Sequence, residues 1–192
     1  MELSTSTTQM PIQDNNKMVM DDHDQPKVKL ITKDQKEIMI SKKIILKFQL
    51  IKDILEDGDD QSDEITTIPI PNVDYNTMME IIEYLKYVEH NEPLEIPKPI
   101  PKSHKIKDFV NDFECEFIEK YSATNMEGLV NLCLSSNYLD IKSLLDLCCA
   151  KIAVMIKGKS PEEIRDLFGL ENDFTPEEEQ KIRDENKVFE EI

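Results

Sequence analysis

From Val28 onward, apolar and polar positions alternate. Val28, Leu30 and Thr32 share one face, Lys33 to Lys36 supply a polar turn, and Ile38 and Ile40 resume the alternation. A period of two puts alternate side chains on one side of a strand, so this stretch predicts a two-stranded hairpin with one buried face. The spacing then tightens. Ile44, Ile45, Phe48, Ile51, Ile54 and Leu55 recur at helical intervals, predicting a helix over 44–55 that stops at Glu56-Asp57-Gly58. Thr67-Ile68-Pro69-Ile70-Pro71 predicts a strand at a sheet edge, because proline has no N–H to give to a ladder. Asn72 or Asp74 is placed to cap the next helix, which carries Met78, Ile81, Ile82, Leu85 and Val88.

Residues 90–107 break the pattern with four prolines (93, 97, 99 and 101) and a scatter of lysines, and predict an extended, exposed connector. Phe109, Phe113, Phe117 and Ile118 then return to the core, followed by helices over Met126 to Tyr138 and Asp140 to Lys157. Asp140 reads as the cap of the latter and Gly158 as its stop. That helix is apolar around well over half its circumference, from Ile141 to Ile156. A surface helix needs only a stripe, so it is either buried on all sides or shared between the core and a partner. Two short helices close the chain with nearly the same opening, Ser160-Pro161-Glu162-Glu163 and Thr175-Pro176-Glu177-Glu178. Each combines a hydroxyl cap, a proline at the first helical position and a glutamate placed to complete a capping box. Firmly ended helices that carry Ile164, Leu167, Phe168 and Ile182, with Phe174 beside them, point to a surface held in shape for binding.

Composition narrows the function. Forty acids against twenty-three Lys and Arg leave a net charge of -17, which repels phosphate backbones and anionic lipid heads. Nucleic-acid and membrane roles are therefore not expected. The polar tail 1–25 is expected to be disordered, and lacks the basic flank and apolar stretch of a signal peptide. A cytoplasmic and nuclear location is expected, with Cys115, Cys133, Cys148 and Cys149 reduced. No Cys-x-x-Cys or close histidine pair suggests a metal site, and the acidic stretch 53–64 lacks the alternation of a calcium loop. No cofactor, metal or catalytic set is expected: Ser135-Ser136 and Cys148-Cys149 have no glycine-rich elbow or paired histidine beside them.

Several segments together resemble one family. Asn137-Tyr138-Leu139-Asp140-Ile141-Lys142, Met155-Ile156-Lys157-Gly158-Lys159, Pro161-Glu162-Glu163-Ile164-Arg165 and Asn172-Asp173-Phe174-Thr175 through Arg183-Asp184-Glu185-Asn186 look like the S-phase-kinase-associated adaptors of cullin-type SCF ubiquitin ligases. The likeness continues at the front in Lys29-Leu30, Leu55-Glu56-Asp57 and Ile70-Pro71-Asn72-Val73, covering roughly residues 27–190. It implies an α/β (α+β) fold: a POZ/BTB-like domain over 26–125 and a helical F-box-binding region over 126–192. It also implies a non-catalytic bridge between F-box proteins and a cullin. By resemblance, the cullin is met at Asn137 and Tyr138, and the F-box at Ile141, Leu145, Ile164, Leu167, Phe168, Phe174, Ile182 and Asn186. An apolar face uncovered by a receptor is open to weak homodimerisation.

The chain departs from the family in places. It has no tryptophan: Val188-Phe189 stand where the last helix usually carries one, and Phe117 stands at another such position. Ser135-Ser136 replace a usual alanine pair. Asn172 to Glu179 reproduces the context in which some protist members carry a hydroxylated and glycosylated proline, which would make Pro176 a modification site. An elongin-C-like adaptor would lack the terminal helix pair. An acidic chaperone would leave the doubly capped helices and the broad apolar helix unexplained.

Overall fold

The structure, a computed structural model, describes residues 27–48, 51–52, 65–100 and 105–190. The tail 1–25 and the acidic stretch 53–64 lie outside the described residues.

The alternating segment forms the expected hairpin. Strand β1 (Lys27–Thr32) pairs antiparallel with β2 (Glu37–Ser41) and parallel with β3 (Thr67–Ile70), giving the order β2-β1-β3. Strand β3 lies at an edge, with Pro69 opposite Ile31 and facing solvent, as the missing N–H requires. In the hairpin turn Gln35 takes the left-handed conformation, at φ 59°. Asp34 receives the Tyr75 N–H at 2.9 Å, and Lys33 N donates to Val73 O at 2.8 Å. The turn is thereby docked on the start of α2 (Tyr75–His90). Asp74, one of two anticipated caps, accepts from Thr77 N at 3.0 Å.

The helix expected over 44–55 is not continuous. Helix α1 spans only Lys42–Ile45, and the next bonds tighten to Lys47 N→Ile44 O and Phe48 N→Ile45 O before Ile51 and Lys52 resume. Adjacent β-branched Ile44 and Ile45 favour an extended helix less than straight side chains do. Ile44, Ile45, Phe48 and Ile51 are nonetheless all buried. Ile54 and Leu55 lie outside the described residues.

After a 3-10 turn at Ile106–Asp108 come α3 (Asp112–Glu119), a second 3-10 turn at Ala123–Asn125, α4 (Met126–Tyr138) and α5 (Lys142–Ile156). Asn111 caps α3 in a full capping box with Glu114. Phe113 stacks on Tyr87 with centroids 3.8 Å apart, and Phe117 is buried beside Tyr84. One continuous core runs from Val28 through Leu129, Leu132 and Leu144 to Ala150. Packing is therefore continuous across residue 125. Helix α4 and the first half of α5 complete the core begun by the sheet.

Asp140 does not cap α5. It sits at φ 53° in a turn in which Ile141 N donates to Ser136 O at 2.9 Å and Asp140 N to Asn137 O at 3.2 Å. Those two bonds close the C-terminal end of α4, with Asp140 at the left-handed position usually given to glycine. Aspartate tolerates that conformation better than most residues. Helix α5 starts at Lys142 with no side-chain cap.

A capped helical face as the candidate functional site

The broad apolar helix turns out to be graded along its length. Leu144, Leu147, Cys148 and Ala150 are buried, whereas Ile152, Ala153, Val154, Met155 and Ile156 are all half-buried. The helix is not buried on all sides, since Lys142 and Cys149 are exposed even in the half that joins the core. The N-terminal half completes the interior, and the C-terminal half lies partly open on every side.

Helices α6 (Pro161–Phe168) and α7 (Pro176–Glu190) continue this open end. Both anticipated capping boxes form. Glu163 N donates to Ser160 Oγ at 3.2 Å, and Ser160 N returns a bond to Glu163 Oε2 at 2.8 Å. Glu178 N donates to Thr175 Oγ1 at 3.3 Å, and Thr175 N to Glu178 Oε2 at 2.9 Å. Donation from Thr175, backbone first and hydroxyl second, holds the Glu178 carboxyl below its usual range. Gly169, at φ 64°, closes α6 with Leu170 N→Arg165 O at 2.9 Å and Gly169 N→Asp166 O at 3.3 Å.

Two ion pairs tie α6 to α7: Arg165 Nη1 lies 3.4 Å from Glu179 Oε1, and Arg183 Nη2 lies 3.1 Å from Glu162 Oε1. The linker joins in, because Asn172 Nδ2 donates to Glu179 Oε1 at 2.8 Å and Asn172 Oδ1 accepts from Phe174 N at 3.2 Å. Arg165 also stands over the Phe174 ring. Sequence alone gives Arg165, Glu179 and Arg183 no role of their own. Their signal, opposite charges on two adjacent amphipathic helices, has meaning only once the angle between the helices is known.

The residues expected to bind partners are sorted by this geometry. Phe174, Ile182 and the neighbouring Leu170 are 46%, 40% and 60% exposed. Asn186 is exposed on α7, and Ile164 is half-buried. Leu167 and Phe168 are half-buried and pack against the core, as does Tyr138. Leu145 is half-buried on α5 and Asn137 is exposed at the end of α4. Ile141 is the exception. At 4% exposure it belongs to the interior, because the turn that closes α4 draws it inward, and it offers no surface to a partner here. Pro176 is exposed at the first position of α7. The side chains of Val188 and Phe189 lie outside the described residues. Ser135 and Ser136 are buried, and the Ser136 hydroxyl donates to Leu132 O at 2.6 Å. Among the described residues no helix is long and apolar enough to cross a membrane, and no group of three His, Cys, Asp or Glu side chains is arranged to hold a metal ion.

A small sheet packed under helices, continued by a doubly capped helix pair that keeps apolar side chains in water, defines a POZ-type α/β domain with a helical C-terminal extension. Residues 26–90 match the Skp1 family tetramerisation domain and residues 142–188 the Skp1 family dimerisation domain. The chain belongs to the Skp1 family. It is 44% identical to an S-phase kinase-associated protein 1 homolog of Tetrahymena thermophila, over 86% of this chain and 95% of that protein. It is 40% identical to the E3 ubiquitin ligase complex SCF subunit sconC of Arthroderma otae, over 84% and 93%. Suppressor of kinetochore protein 1 of Schizosaccharomyces pombe is 39% identical, over 84% and 96%.

Proposed function

We propose that this chain is the adaptor subunit of an SCF-type ubiquitin ligase. It joins an F-box substrate receptor to a cullin and gives no nucleophile, acid or base to ubiquitin transfer. The observation that carries this reading is apolar area kept open on a fixed frame: Ile182 on α7, and Leu170 and Phe174 in the linker before it, stay in water on a helix pair with capped ends and paired charges. A loose apolar segment would fold back on the core. A clamped one waits for a partner whose apolar helix completes it. The relatives' names, an SCF ligase subunit among them, support the same role.

The mechanism is geometric. Holding the receptor and the cullin in one complex makes the encounter of substrate and ubiquitin carrier intramolecular, which raises its effective concentration without new chemistry. The reading assigns receptor binding to the open half of α5 with α6 and α7, and the cullin to the end of α4 around Asn137 and Tyr138. Titration calorimetry of the full chain against an F-box domain tests it. Phe174→Ala is expected to cost about 2 kcal/mol or more, as truncation of a central aromatic anchor does. Full affinity in both Phe174→Ala and Phe168→Ala would remove the assignment of this face.

A further inference from the structure

Cys133 on α4 and Cys149 on α5 face each other with their sulfurs 4.0 Å apart. We propose that they form a dithiol modification site, oxidised by a small soluble disulfide such as oxidised glutathione to an internal bridge that staples α4 to α5. The inference is independent of the adaptor reading.

Three observations carry it. The first is approach. The two helices pack along each other across the Leu139–Ile141 turn, and a bridge requires the sulfurs to close by about 2 Å, within the reach of side-chain torsions. The second is access. Cys149 is exposed and Cys133 half-buried, so one sulfur can meet the oxidant and the other can resolve the adduct from inside. Burial, with Cys149 alongside, pushes the Cys133 thiol up to about 11, consistent with that order of events. Cys148, next in sequence, is sealed in the core, and Cys115 stands on another helix. The third is charge. Lys98 on the proline-rich connector pairs with Asp146 at 2.8 Å, one turn before Cys149. The hydrogen bond and charge of Asp146 hold the Lys98 ammonium protonated. A cation anchored one helical turn from the exposed sulfur suits an anionic oxidant.

The chemistry balances in two displacements. The Cys149 sulfur loses its proton and attacks one sulfur of oxidised glutathione, forming a mixed disulfide and expelling one glutathione thiolate, which takes up the proton. The Cys133 sulfur, giving up its own proton, then attacks the Cys149 sulfur and expels the second glutathione. The two cysteines are oxidised, and one glutathione disulfide is reduced to two thiols.

The full chain is incubated with excess oxidised glutathione, quenched in acid, and analysed by intact mass and non-reducing peptide mapping. Expected is a monomer lighter by two hydrogens, with the Cys133 and Cys149 peptides linked. Cys115→Ser should behave like the wild type, and Cys149→Ser should give no internal bridge. A persistent glutathione adduct on Cys149, a dimer joined through Cys149, or no oxidation while a control dithiol peptide oxidises would each overturn the proposal. Cys149→Ser alters an exposed position, so the comparison does not depend on rescuing a buried one.

Discussion

The guanidinium of Arg165 stands 5.6 Å from the centre of the Phe174 ring, on the other side of the helix-to-helix turn. The same side chain pairs with Glu179, whose Oε1 also accepts from Asn172. An aromatic side chain that is nearly half exposed therefore does not swing freely. One arginine supports its ring, and the pairing that orients the arginine fixes the start of α7.

Arg165→Gln should consequently weaken F-box binding without unfolding the chain. The lost cation–ring contact is worth about 0.5–1 kcal/mol at an exposed site, and a partly exposed ion pair at most about 1 kcal/mol. Together they predict roughly a 3- to 30-fold loss of affinity by calorimetry. Arg165→Lys should recover part of it, because the charge returns without the planar fork. Unchanged binding in Arg165→Gln would show that Phe174 needs no such support.

The two capping boxes predict local effects. Ser160→Ala and Thr175→Ala each remove a bond to an orphan helix N–H and should cost about 1 kcal/mol. Hydrogen exchange should speed up roughly fivefold in the first turn of α6 for the former and of α7 for the latter, with little cross-effect. Equal acceleration in both helices from either single change would mean that the pair melts as one unit.

Ile141 and Phe174 separate interior from surface. Ile141→Ala leaves a cavity beneath the α4–α5 turn and should cost about 2–5 kcal/mol of global stability. Phe174→Ala should change global stability by less than about 1 kcal/mol. Urea unfolding decides the point, and similar midpoints for the two variants would contradict the burial of Ile141.

Acid unfolding should carry the signature of Asp34. Donation from Thr32 Oγ1 at 2.7 Å is the main cause holding its carboxyl at about 2, with Lys36 and the Tyr75 N–H adding to it. A depressed carboxyl stabilises the fold above its unfolded value of 3.8, and the contribution is lost as pH falls towards 2. Wild-type and Asp34→Asn unfolding midpoints should therefore differ at neutral pH and converge between about pH 4 and pH 2. Glu114 has the opposite sign. Burial raises its carboxyl, so its contribution declines as pH rises through the carboxylate range. Wild type should then lose ground to Glu114→Gln between acid and neutral pH. A constant difference at either site would contradict its assigned shift.

Local rules carried far in this chain. Alternation at Val28 to Ile40 specified the hairpin, because burial of one face permits only one register. Ser160 and Thr175 announced their helices, because a cap depends on residues within one turn. The same kind of signal, Asn111 with Glu114, opens α3.

What failed was whatever needed a second element to be in place. Asp140 read as a cap became the left-handed close of the preceding helix, since Ser136 O and Asn137 O were there to receive the turn's N–H groups. That turn drew Ile141 into the core, although its helical spacing matched that of the partner-facing residues. The apolar girth of α5 could not say which half was interior until the sheet and α4 had covered Leu144 and Leu147 and left Ile152 to Ile156 partly open. The pairing of Arg165 with Glu179 likewise spans two helices. Hydrogen bonds within a turn depend on neighbours in sequence. Burial and ion pairing depend on which surfaces meet, and in this chain only the packed fold decides that.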